Sequence, residues 1–214
     1  MFTKHHILGG GYRKNVVCPH CKSRDRDRWL LWVLKNYTNI FEGKVKVLHI
    51  APEWYIDELI MNNQQCDYYS GNINRTRGRN YIDICDIPFR DDFFDYIIVN
   101  HVLEHIEDLS KAMEELYRVL RNDGKIVMSF PICVDQKTYS SPSICSDKER
   151  WEFYGQSDHV RLFGNDYREI LKSYGWHIRE YTPSKLCTSQ EINRYGFLYD
   201  DILMILNKEA FYDN

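Results

Sequence analysis

The sequence predicts an α/β protein, with a mostly parallel sheet, helices on both faces and an antiparallel strand pair at the C-terminal end. Three observations carry that reading. Short apolar runs alternate with amphipathic segments along most of the chain. One run, "FFDYIIVN" ending at Asn100, is apolar almost throughout, as in a strand covered on both faces. The last two runs, "WHIREYTP" and "DDILMILNK", follow one another without an evident helix between them. On such sheets ligands bind beyond the carboxyl ends of the strands.

The elements follow in order. In "DRWLLWVLKNY", Trp29, Leu30, Val33, Leu34 and Tyr37 recur at helical spacing. "KVKVLHIAP" reads as a strand stopped by Pro52, "EWYIDELIMNN" as a helix and "CDYYSGN" as a second strand. "NYIDICDIPF" holds a short extended piece that ends before Pro88. After "FFDYIIVN", the residues Leu109, Ala112, Met113, Leu116, Val119 and Leu120 form one apolar stripe, and Gly124 stands where a C-terminal cap belongs. "KIVMSFP" is the next strand, and "NDYREILKSYG" gives a helix ending at Gly175. Two parts emerge: an N-terminal arm (1–43) and the α/β domain (44–214).

Composition narrows the function classes. The chain has 214 residues, enough for a substantial core, and a formal charge of −3, which gives no general attraction to nucleic acid or anionic membranes. No run is long and apolar enough to span a bilayer, and the start lacks the apolar core of a signal peptide. Seven scattered Cys fit reduced thiols and a cytoplasmic setting better than a disulfide framework.

Four ordered motifs, "VLHIAPE", "YYSGN", "DICDIPFRDDFFDYIIVNHVLEHI" and "ELYRVLRNDGKIVMSFP", resemble those of class I S-adenosylmethionine-dependent methyltransferases, over roughly Lys44 to Lys208. The leading "CPHC" with its following arginines, and "DHVRLFG" from Asp158, are similar to a subgroup associated with surface-polysaccharide and glycan synthesis. The resemblance implies a Rossmann-like sheet and S-adenosylmethionine as cofactor. It places His49, Ala51, Pro52 and Glu53 under the methionine part, although the family has a Gly-rich turn where Ala51 and Pro52 stand. Asn72 matches the family's ribose-binding carboxylate, Asp83 the acceptor for the adenine amino group, and Ile84 the residue packing on the ring. Asn100 and His101 would line the sulfonium end.

The cluster after that strand carries the chemistry, with two active-site readings. In one, His101, Glu104 and His105, at i, i+3 and i+4, join His159 as ligands of a divalent ion, similar to an "ExxEH…H" site in other branches of the superfamily. In the other, His159 oriented by Asp158 is the general base, with no metal. A third reading makes "HVLEH" only the start of the helix. "CPHC" is half of a zinc knuckle, with His5, His6 or His20 as further candidates, or else a tight turn before the Trp-rich helix, which would cover part of the cleft. Arg75, Arg77 and Arg79 form a basic loop that could grip a phosphate. The irregular segment from Ile132 to Gly155, with Tyr139, Trp151, Phe153 and Tyr154, would select the acceptor by stacking on a sugar or pack upon itself. These observations favour O-methylation of a sugar or sugar-linked acceptor. The alternatives are methylation of another small molecule or RNA, or an inactive scaffold for a glycan-synthesis partner.

Overall fold

The computed structural model describes residues 7–10, 16–74 and 79–208. Its strands are β1 (Ile7–Leu8), β2 (Lys46–Ile50), β3 (Asp67–Asn72), β4 (Asn80–Tyr81), β5 (Phe94–Asn100), β6 (Leu120–Ser129), β7 (Ile132–Cys133), β8 (Phe163–Gly164), β9 (His177–Tyr181) and β10 (Leu203–Asn207). The helices are α1 (Asp25–Tyr37), α2 (Trp54–Met61), α3 (Leu109–Val119), α4 (Asp147–Tyr154), α5 (Tyr167–Ser173), α6 (Pro183–Leu186) and α7 (Ser189–Tyr195).

Seven strands form one sheet in the order β4-β3-β2-β5-β6-β10-β9. Neighbours from β4 to β6 are parallel, and β10 runs antiparallel to both β6 and β9. The fold class read from the sequence is therefore the one observed. The reason given for its antiparallel end is corrected: two short helices, α6 and α7, lie between β9 and β10, and Pro183 and the Thr188–Glu191 capping box begin them. β10 is also no edge strand, because it inserts between β6 and β9.

Side chains alternate across the pleat, and each face has its own core. Leu48 and Ile50 of β2, Ile97 and Val99 of β5, and Met204 and Leu206 of β10 face one way. There they meet Ala112, Met113, Leu116 and Val119 of α3, and Tyr167 and Leu171 of α5. Val47, Ile98 and Ile205 face the other way, toward Trp29, Leu30, Val33 and Leu34 of α1, Ile56 and Ile60 of α2, and Ile192 of α7. The Trp-rich helix thus forms part of the domain's own core. Its body covers a sheet face; only its first turn approaches the strand ends.

One glycine departs from simple expectation. α3 ends at Val119, and Leu120 turns extended to pair with Phe94, so Gly124 lies beyond the helix within the β6 segment instead of capping α3. Gly175 does follow α5 with φ +87°, as a helix-ending glycine should. Gly71 is needed for another reason: a Cβ there would come within 2.5 Å of the Ile82 side chain and 2.9 Å of Asn80 O. Gly71→Ala is expected to cost about 1–3 kcal/mol in urea unfolding, since β4 and Ile82 must move to admit it.

Candidate active site at the carboxyl ends of the strands

The site begins at β2, where a row of hydrogen bonds crosses four strands. His49 is fully buried in the middle of the sheet. Its Nε2 lies 3.1 Å from Glu53 Oε2, and its Nδ1 lies 2.9 Å from the Tyr68 hydroxyl. Tyr68 donates to Asp57 Oδ1 at 2.8 Å, and Arg79 closes that end with a 2.9 Å bond to Asp57 Oδ2. On the other side Asn100 Nδ2 donates to Glu53 Oε1 at 2.5 Å, and Ser129 Oγ donates to Asn100 Oδ1. The row runs from β3 through β2 to β5 and β6.

Burial pushes the Glu53 carboxyl up, but hydrogen bonds from His49 and Asn100 and the charge on His49 outweigh it, leaving the pKa below the usual range. Asp27, in the first turn of α1, goes the other way: burial, together with the nearby Glu53 charge, raises it. One Asp27 oxygen accepts from Arg24 N at 2.8 Å; the other is buried without a hydrogen-bond partner, with Arg26 Nε at 3.9 Å. Two carboxylates therefore share the mouth of the site.

The cofactor residues read from the sequence separate into groups. Ala51, Pro52 and Glu53 form the turn between β2 and α2, and Ala51 adopts φ +49°. The chain keeps the left-handed bend of a Gly-rich turn without the glycine. His49 is fully buried and bonds to Glu53. Asn72 ends β3, but its Oδ1 is taken by Asn74 N at 2.8 Å. Asp83 Oδ1 accepts from Cys85 N at 2.9 Å, which orders the segment after β4. Ile84 is only 2% exposed, packed with Ile82 and Ile87, so its side chain offers no open face for a ring. Asn100 and His101 stand together at the end of β5, His101 with φ +54°.

Beyond His101 the chain makes a 3-10 turn at Leu103–His105, and α3 starts only at Leu109. The i, i+3, i+4 spacing therefore does not lie on one regular helical face. His101 Nδ1 sits 3.2 Å from Glu104 Oε1. His105 and His159 meet edge to face, with ring centres 4.8 Å apart. The expected orientation of His159 by Asp158 is corrected. Asp158 has a side chain 68% exposed and lies 3.5 Å from His105 Nδ1, whereas His159 is 3% exposed and bonds through Nδ1 to Tyr154 O at 3.2 Å. An acceptor would meet His105, a third exposed, before His159.

Arg161, within the "DHVR" stretch, is the residue that sequence reasoning missed. It is buried, and its guanidinium donates to the carbonyls of Leu103 (2.7 Å), Glu107 (3.0 Å) and Ile106. Val160 N adds a 2.9 Å bond to Glu104 O. Together they clamp the 3-10 turn to the segment that carries His159. The clue available was an arginine set between apolar neighbours, Val160 and Leu162.

At the N-terminal arm, Cys18 and Cys21 form a tight turn: Lys22 N donates to Cys18 O at 2.9 Å, and Cys21 Sγ lies 3.0 Å from Ser23 Oγ, which lowers the thiol's pKa. Among the described residues no third metal-type ligand joins them. His5, His6, Arg75 and Arg77 lie outside the described residues. Gly9, at φ +69°, approaches His101: a Cβ there would stand 3.8 Å from its Cε1 and 3.0 Å from Asp201 Oδ1.

Comparison with known proteins agrees with this architecture. Residues 65–128 match the family described as "Methyltransferase domain". A structure of a SAM-dependent methyltransferase from Archaeoglobus fulgidus superposes with a TM-score of 0.54 at 16% identity, over 85% of this chain and 94% of that one. The fold is that of the class I methyltransferases. An uncharacterised protein of Methanocaldococcus jannaschii is 32% identical over 91 residues, 42% of each chain. A demethylmenaquinone methyltransferase of a Geobacillus strain is 29% identical over 91 residues, covering 42% of this chain and 35% of its own length. The match thus spans less than half of either relative. Among the described residues no helix is long and apolar enough to cross a membrane.

Two predictions follow from the site's electrostatics and backbone. Burial lowers the His159 pKa, with the Glu104 charge opposing and His105 assisting. The unfolded chain then takes up that proton first, so this contribution to stability is complete above about pH 6.5 and fades as pH falls below it. Glu53 and Glu104, both lowered against the effect of burial, add a second decline below about pH 4.3. Melting curves should show both declines, and His159→Asn, whose amide can keep the bond to Tyr154 O, should remove only the first. Ala51→Gly should stabilise by about 1 kcal/mol in urea unfolding by relieving the left-handed strain.

Proposed function

We propose that the protein transfers the methyl group of S-adenosylmethionine to a hydroxyl of a sugar or sugar-linked acceptor. The observation that carries the cofactor assignment is the Glu53 carboxylate, held between His49 and Asn100 where this fold binds its ligand. S-adenosylmethionine carries two positive centres, the α-ammonium and the sulfonium. A mouth holding Glu53 and the under-satisfied Asp27 favours a cation of that kind over an anionic nucleotide. The class I methyltransferase fold and the match over residues 65–128 support the same reading.

In the transfer, the acceptor oxygen attacks the methyl carbon in line with the S–CH3 bond. That bond breaks, sulfur keeps the electron pair, and S-adenosylhomocysteine leaves uncharged at sulfur. The acceptor's proton departs at the Glu104–His105–His159 cluster. Most of the rate comes from holding the two partners in line, and the rest from handling that proton. Tyr139, Trp151 and Phe153 are all exposed on the segment after β6 and support a sugar ring as acceptor, because aromatic faces cover the apolar face of a sugar. Tyr154 does not share this role, being buried with its hydroxyl bonded to Ser141.

Calorimetric titration with S-adenosylmethionine and S-adenosylhomocysteine tests the reading. Both are expected to bind, Glu53→Gln should weaken them about tenfold or more, and failure of either ligand to bind the wild-type chain would overturn the assignment. With a panel of vicinal-diol sugars, His105→Ala should leave cofactor affinity unchanged and lower turnover by roughly 10²–10⁴.

A further inference from the structure

Three ligand-type atoms converge beside the end of β5. One atom from each of Glu104, His105 and His159 lies within 4.8 Å of the other two, and no other such group exists among the described residues. The two imidazoles are preset. His105 Nδ1 lies 3.1 Å from Asp158 O, and His159 Nδ1 lies 3.2 Å from Tyr154 O. A carbonyl only accepts, so Nδ1 carries the proton in each ring and Nε2 keeps a free lone pair. Metal-bound histidines make this same second bond, which fixes ring orientation and tautomer.

Glu104 supplies the independent observation. It is 1% exposed; one oxygen meets His101 and the other is buried with no hydrogen-bond partner. A bare carboxylate oxygen in the interior is costly unless a cation faces it. The Arg161 guanidinium does not hydrogen-bond that oxygen; it donates to the main-chain carbonyls of Leu103, Ile106 and Glu107.

We propose that Glu104, His105 and His159 bind one divalent transition-metal ion, of the borderline class represented by Zn2+. Two imidazole nitrogens and one carboxylate oxygen suit such an ion better than Mg2+ or Ca2+, which prefer oxygen alone. Ligand atoms around a four-coordinate Zn2+ stand roughly 3.4 Å apart, so atoms already within 4.8 Å of one another need only small side-chain adjustments to meet one ion. His101 drops out of the four-residue set read from the sequence and orients Glu104 instead. Three protein ligands leave at least one position open, and partly exposed His105 puts that position toward solvent, where an acceptor hydroxyl can enter.

The test does not depend on methyl transfer. Chelator-treated full-length protein is titrated with Co2+ and followed by its visible absorption, alongside elemental analysis of untreated protein and calorimetry with S-adenosylmethionine. One equivalent of Co2+ should bind, competed by Zn2+, and both Glu104→Gln and His105→Ala should weaken it by about a hundredfold or more. Glu104→Gln preserves side-chain shape and His105 is partly exposed, so melting curves should show both variants folded. Absence of Co2+ bands in the wild type, wild-type affinity in both variants, or binding abolished by Cys18→Ser would each overturn the site. Metal binding without cofactor binding would leave this site standing while removing the methyltransferase reading; the reverse result would do the opposite.

Discussion

The Glu53 carboxylate accepts from His49 on one side and Asn100 on the other, and Ser129 extends the row onto the next strand. A charge at that depth survives only because several donors converge on it. The same donors hold the ends of β2, β5 and β6 at one level. This makes the polar row a structural constraint on the sheet. Removing one member strands the others in a low-dielectric setting, a greater penalty than the loss of one surface hydrogen bond.

From that row the site spreads in two directions. Toward β3, Tyr68 and Asp57 carry the hydrogen bonding out to Arg79 at the surface. Toward α3, the chain leaves Asn100 through the left-handed His101 and enters a turn too short to be stable alone. Arg161 compensates by donating to main-chain carbonyls of the turn and the residues just after it, fixing the turn against a segment more than fifty residues away. Precision at the cluster is thus supplied from the later part of the chain.

The fold was largely legible because its evidence is periodic. The continuous apolar runs of β5 and β10 and the stripes of α1 and α3 each report one local decision, and tertiary packing agreed with them. What escaped was decided at a distance. Nothing near Asp158 says that its carboxylate will face His105 while His159 turns to Tyr154 O, since that depends on how two loops dock. Gly124 looked like a cap because the sequence does not reveal that Leu120 already pairs with Phe94. Ile84 was assigned to the cofactor ring by motif position alone, and its neighbours Ile82 and Ile87 drew it into the core. The cluster itself was readable as a set of residues; its geometry was not.

The placement of β10 has a consequence for how the chain emerges from the ribosome. Every strand of the parallel half, β2 to β6, is complete by Ser129. The next sheet strand to be made, β9, has no partner in that half, because β10 must slot between it and β6. Until Leu203–Asn207 arrives, β6 presents an open hydrogen-bonding edge of strongly apolar sequence, and β9 waits unpaired. β10 therefore acts as a keystone: vectorial synthesis leaves the half-built sheet adhesive until that strand is inserted, a period in which a chaperone has the most to protect.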